Sequence, residues 1–150
     1  MIIKDLVFLK EKSKPVSYLK EGLEIARKLK KELIIHNKNY TQQGIGLSAI
    51  QIGIPKQVCF VNVKKELILI NPEIIDISTF KTINEEGCLS LPGVIRNIQR
   101  SIWIKVKCLN WNEIKVFGYY GTKYNDQDLL ECICVQHELD HLLGKIILDY

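Results

Sequence analysis

Leu19, Leu23, Ala26, Leu29 and Leu33 recur at steps of three and four residues, the spacing of one helical face, with lysines between them. The pattern predicts an amphipathic helix from Ser17 to about Asn37 whose apolar side is ordinary core. Past the turn-forming Asn37, Asn39 and Gln43-Gly44 the period changes. Short β-branched runs at 58–63 and 67–70 are separated by Lys64-Lys65-Glu66, as the arms of a hairpin would be. Further strands are expected at 74–77, 80–83, 102–109 and 114–120, the third alternating apolar residues with Lys105 and Lys107. A second helix is expected from Asp126, a good N-cap type, to about Leu143, with Gly144 just past its end. These elements predict an α+β fold, with antiparallel strands packed around a C-terminal helix and an amphipathic helix near the N-terminus. No repeat or linker-like stretch interrupts the pattern, so residues 1–150 are read as one domain.

Composition agrees: 150 residues, 47% hydrophobic and 25% charged, suffice for one domain with a real core. The net charge of +4 is spread over scattered lysines such as Lys10, Lys12, Lys14, Lys28, Lys30 and Lys31, so nucleic acid is not the indicated partner. No apolar run approaches the roughly 20 residues of a membrane-spanning helix. The opening Met1-Ile2-Ile3-Lys4-Asp5 lacks the order of a secretory signal. A soluble, cytoplasmic protein is expected. The five cysteines are an odd number in a chain large enough to need no disulfide framework. Cys59 and Cys108 lie in strand-like runs and read as small buried hydrophobes. Cys88 differs, standing in the polar, glycine-containing Glu85-Glu86-Gly87-Cys88-Leu89-Ser90.

The chemistry concentrates in Gln136-His137-Glu138-Leu139-Asp140-His141. Two histidines four residues apart on a helix are separated by about 6 Å of rise, so both rings can reach one metal ion. Leu130, Ile133, Cys134, His137 and His141 share a stripe, which turns the pair inward, where an imidazole needs a partner. Glu138 is not spaced to bind but can take a proton from an attacking water. Asp140 lies about 100° beyond Leu139 and faces solvent or a supporting partner. The extended protease motif would need a third histidine where Ile147 stands. A downstream carboxylate is limited to Asp149. The third ligand is therefore expected upstream, from His36 or the cysteines, with Cys88 the best placed. A closed site that adds Cys134 is opposed by geometry, since Cys134 and His141 are about 10 Å apart along the helix.

Three segments, Gly44-Ile45-Gly46-Leu47-Ser48-Ala49-Ile50-Gln51, Glu86-Gly87-Cys88-Leu89-Ser90-Leu91-Pro92 and Gln136 to His141, together resemble peptide deformylase in order, content and spacing. Lys14-Pro15-Val16, Ile70-Asn71-Pro72, Arg100, Gly144-Lys145 and Asp149-Tyr150 extend the likeness over nearly the whole chain. The resemblance implies hydrolysis of the N-formyl group on the initiator methionine of nascent chains. It implies one divalent ion, Fe2+ in many members, with Zn2+, Ni2+ or Co2+ also suited to the donors. Cys88, His137 and His141 would be the ligands and Glu138 the general base and acid. Gln51 and the backbone N–H of Leu89 would donate to the formyl oxygen. Ile45, Glu86, Leu130, Ile133 and Cys134 would line the methionine pocket, Gly44 and Gly46 would let backbone run close to the substrate peptide, and Gly87 would also contact substrate. On its neighbourhood alone, Gln51 is equally a surface loop residue.

Arg100 is expected to pair with Glu86 and fix the cysteine segment, and Ser90 has no free histidine to make it a nucleophile. Two departures stand out. Ser48 replaces the family's usual alanine and is expected to add a hydrogen bond near the substrate strand. The chain is read as lacking the C-terminal helical extension of many bacterial members, which leaves ribosome docking open. A monomer is expected, in a bacterium, a phage-infected host or an organelle. The rival readings are an HExxH-type metallopeptidase and a metal-bound, non-catalytic peptide-binding module.

Overall fold

A computed structural model describes residues 1–150. A short helix α1, Leu6–Leu9, precedes the long helix α2, Leu19–Asn39. Eight strands follow: β1 (Gly46–Ser48), β2 (Val58–Asn62), β3 (Glu66–Ile70), β4 (Glu73–Ile77), β5 (Lys81–Cys88), β6 (Leu91–Ser101), β7 (Trp103–Lys107) and β8 (Lys115–Gly118). Helix α3, Asp126–Leu142, closes the order. All strand pairing is antiparallel, in a β1-β2-β3 sheet, a β4-β7-β8 sheet and a β5-β6 hairpin. The expected α+β architecture is present.

The β1-β2-β3 sheet lies between the two long helices, and its side chains alternate between them. Val58 and Phe60 pack with Ala26, Leu29 and Leu33 of α2. Cys59 and Val61 pack with Cys134, Val135 and Leu139 of α3. A strand covered on both faces has no polar alternation, which is why 58–63 is a continuous apolar run. Strand β7 adds Ile104 and Val106 to the α3 core. As a result α3 is enclosed on several sides, burying Glu131, Cys132, Glu138 and His141 as well as its apolar residues.

Three local expectations are corrected. The α3 N-cap is Asn125, one residue before Asp126, because Asn125 and Asp128 accept reciprocally from each other's backbone N–H. The strand predicted at 80–83 begins at Lys81 and runs to Cys88, so Cys88 ends a strand rather than sitting in a loop. Its partner β6 was not expected at all. The hairpin turn holds only Leu89 and Ser90, since Cys88 pairs with Leu91. Neither residue is the usual glycine or asparagine of a two-residue turn. The register shifts between Glu86 and Cys88, where Gly87 alone stands opposite residues 92–95 of β6, so the irregularity bulges β6 next to the turn that carries Cys88.

Beside α3, Gly118 has φ +94, and a Cβ there would lie 2.1 Å from the Ile102 carbonyl oxygen. Gly121 has φ +78 but open space around it. Gly121→Ala should therefore cost about 1 kcal/mol, whereas Gly118→Ala should cost about 3 kcal/mol or more. Urea unfolding of the two variants checks this, and equal midpoints would contradict it.

Candidate metal centre and substrate cleft

Helix α3 projects His137 and His141 from adjacent turns, their ring centroids 5.1 Å apart. The β5 end brings Cys88 against them. The donor atoms of Cys88, His137 and His141 lie within 4.8 Å of one another, and Cys88 Sγ is 3.5 Å from His141 Nε2. With metal–ligand bonds of about 2.0–2.3 Å, donors on one tetrahedral ion stand roughly 3.5 Å apart. The set therefore fits a single ion such as zinc or iron, and one tetrahedral position is left without a protein donor. Burial lowers the pKa of His141 to about 3, helped by neighbouring His137 and Arg100, so that ring is neutral. At His137 burial is outweighed by the hydrogen bonds to Cys88 and Glu86, which raise the pKa to about 10, so metal binding there must displace a proton. His36 stacks on Tyr40 and reaches the Gln42 carbonyl oxygen, apart from this cluster. Cys134 is also outside it, so the closed four-ligand arrangement does not form.

His137 is oriented by Glu86, whose Oε1 lies 2.9 Å from Nδ1 and leaves Nε2 for the cluster. Arg100 holds Glu86 in a fork, donating from Nε to Oε2 and from Nη2 to Oε1, both at 2.7 Å. Its Nη1 donates to Asp140 Oδ2 at 2.6 Å, and the Tyr150 hydroxyl donates to the same oxygen at 2.6 Å. Burial alone would raise the Glu86 carboxyl, but the bonds from Arg100 and His137 hold it below the usual range, so it stays ionised. The expected Arg100–Glu86 pair is present. Asp140 faces a partner, and its link to Tyr150 was not foreseen.

Glu138 is 4% exposed, and burial raises its carboxyl, opposed by His137 and by a hydrogen bond from Ser48. Gln51 is 2% exposed, in a 3-10 turn at Ala49–Ile52, which rules out the surface-loop reading. The backbone N–H of Ser48 donates to Gln51 Oε1 at 2.9 Å. That bond fixes the amide so that Nε2 points to Ser90 Oγ at 3.1 Å and Cys88 Sγ at 3.6 Å.

These groups face a cleft of about 220 Å³. Gln51, Cys88, Leu89, His137 and Glu138 line it together with Ile45, Gly46, Glu86, Gly87, Leu130, Ile133 and Cys134. His141, 1% exposed, is the one expected site residue behind the wall. Sequence reasoning missed Gln42, Gln43 and Glu85 at the rim; nothing in their spacing marks them. Gly46 is required sterically, because a Cβ there would lie 2.8 Å from both Cys134 Sγ and Glu138 Oε1.

The fold and donor set have the form of an HExxH helix completed by a cysteine from a hairpin, a mononuclear metal-hydrolase arrangement. Residues 3–150 match the family model for polypeptide deformylase. The chain belongs to the polypeptide deformylase family, which is metal-dependent. It is 37% identical over 148 residues to the peptide deformylase of Bartonella henselae, covering 95% of this chain and 77% of that one. The Thermotoga maritima peptide deformylase structure superposes with TM-score 0.79 at 31% identity, covering 99% and 95% of the two chains. A class I type b peptide deformylase of Acinetobacter baumannii gives TM-score 0.80 at 28% identity, covering 99% and 97%.

If Glu86 sets the His137 ring, Glu86→Gln should weaken metal binding about 10- to 100-fold while the fold persists. Competition with a chromogenic chelator measures the change, and an unaltered affinity would remove Glu86 from the support of the site.

Proposed function

We propose that this chain hydrolyses the formamide of N-formylmethionyl peptides, releasing formate and a free methionine amine. The observation that supports the reading is the convergence of Cys88, His137 and His141 with the buried Glu138 and Gln51 on one cleft. Cys88, His137 and His141 would hold a divalent ion, which supplies Lewis acidity toward the formyl oxygen and lowers the pKa of water toward about 7. Iron(II) is the proposed native ion, and Zn2+, Ni2+ and Co2+ suit the same thiolate and imidazole donors.

The chain's own groups account for the remaining work. Gln51 Nε2, already aimed by Ser48, donates to the oxygen on which negative charge develops, joined by the backbone N–H of Leu89. Glu138 takes the proton from the attacking water and returns it to the leaving amine. The methionine side chain lies against Ile45, Leu130, Ile133 and Cys134, while Gly46 and Gly87 let the peptide backbone approach. Glu86 lines the cleft, but its carboxylate is committed to Arg100 and His137, so it acts as a positioning group. Every named group comes from one chain, so a monomer suffices. Nascent chains leaving the ribosome are the proposed source of substrate. Five free, buried cysteines are compatible with the reducing cytoplasm proposed as its location.

The direct test is formate release from formyl-Met-Ala-Ser by the metal-loaded protein. Activity should vanish with a chelator and return with iron or cobalt; metal-loaded protein that releases no formate would overturn the reading, and cleavage of internal peptide bonds instead would favour the metallopeptidase. Gln51→Leu should lower kcat by about 10²–10³ with metal content unchanged, and a loss below threefold would exclude its donor role. Glu138→Gln should bind metal and peptide near normally yet turn over orders of magnitude more slowly. Substantial deformylation by that variant would remove the general base.

A further inference from the structure

The Ser48 hydroxyl is fully buried and lies between β1 and α3, next to the one carboxylate assigned to proton transfer. Ser48 Oγ is 2.7 Å from Glu138 Oε2 and 2.8 Å from the Glu138 backbone carbonyl oxygen. Cys59 Sγ, at 3.3 Å from Oγ, is its other polar neighbour. The opposite oxygen, Glu138 Oε1, faces Gly46 in the wall of the cleft.

We propose that Ser48 is a positioning residue for Glu138, holding Oε2 so that Oε1 is presented to the cleft. The assignment rests on the deformylase reading for what Glu138 does there. The hydroxyl is within hydrogen-bond reach of Oε2 and of the Glu138 carbonyl oxygen, and an alanine or valine at this position offers neither a partner. Without the hydroxyl, a buried carboxylate loses its only side-chain donor bond and can swing about its terminal torsion, a broad one in side chains of this type.

The same residue orients the oxyanion donor by a separate route. Its backbone N–H holds Gln51 Oε1, and that bond does not depend on the side chain. Ser48→Ala therefore deletes the contact to Glu138 and leaves the contact to Gln51. This separation makes the inference testable with a variant that removes one atom from the core.

The experiment compares parent and Ser48→Ala proteins, both loaded with cobalt(II), on formyl-Met-Ala-Ser, together with a crystal structure of the loaded variant. The expected result is kcat lowered about tenfold, the size of a lost hydrogen bond to a charged group, with KM within twofold and metal stoichiometry unchanged. The crystal structure should show the Glu138 carboxylate rotated or in two orientations while Cys88, His137, His141 and Gln51 superpose on the parent. A kcat within twofold of the parent, or a Glu138 carboxylate in the parent orientation, would overturn the proposal. So would a change confined to KM, which would make Ser48 a substrate contact, or loss of metal. An inactive parent would fail the deformylase reading itself, and is read before the variant is compared.

Discussion

The Glu86 carboxylate is the joint on which the site depends. It sits near the end of β5 and is gripped by Arg100 from the neighbouring β6, while the same Oε1 reaches across to His137 on α3. The hairpin that carries Cys88 and the helix that carries the histidines are thus tied within two residues of the ligands. A buried charge pair of this kind is a poor source of net stability, because desolvation offsets much of its attraction. Its value here is geometric. With Arg100 and Glu86 nearly inaccessible and bonded at both ends, the carboxylate holds the His137 ring by Nδ1 and favours a proton on that nitrogen. Asp140 and Tyr150 extend the clamp by satisfying the remaining Arg100 donor, so the charge left on the guanidinium is not stranded.

Around that joint each functional group is delivered by a different backbone device. The two-residue turn and the bulge in β6 at residues 92–95 present Cys88 at the end of β5. A helical repeat of four presents the two histidines. A 3-10 turn closed by Ser48 presents Gln51 from within the core. The elements meet because β1-β2-β3 is covered on both faces, which forces α3 inward and makes its polar residues part of the interior. Of the ionisable groups buried on α3, Glu138 is met by the Ser48 hydroxyl and His141 Nε2 by Cys88 Sγ, while His141 Nδ1 is left without a partner.

Much of this was legible from the sequence because the governing periods are short. The 3.6-residue repeat marked α2, and the four-residue histidine spacing marked the metal-binding turn of α3. Central strands appeared as β-branched runs. Strand β6 escaped because Pro92, Gly93, Arg96, Asn97 and Gln99 interrupt any alternation, and because Leu89-Ser90 carries no turn signal. Cys88 was singled out by composition, although its true setting is a strand end. The Asp140–Tyr150 and Ser48–Glu138 contacts join residues 10 and 90 positions apart, and no local pattern encodes either. Gln51 shows the same limit from the other side: its neighbourhood looks like a loop, and only tertiary packing buries it.

The central claim is a metal site of one thiolate and two imidazoles that leaves a coordination position free of protein donors. Cobalt(II) titration of the metal-free protein tests it most directly, since the ion reports both the thiolate bond and the coordination number in its absorption spectrum. The expected result is saturation at one equivalent, a thiolate-to-cobalt charge-transfer band, and visible transitions of four-coordinate intensity that shift when formate is added. Cys88→Ala should abolish the charge-transfer band, and Cys134→Ala should keep it. A band that survives in Cys88→Ala and is lost in Cys134→Ala would contradict the ligand set.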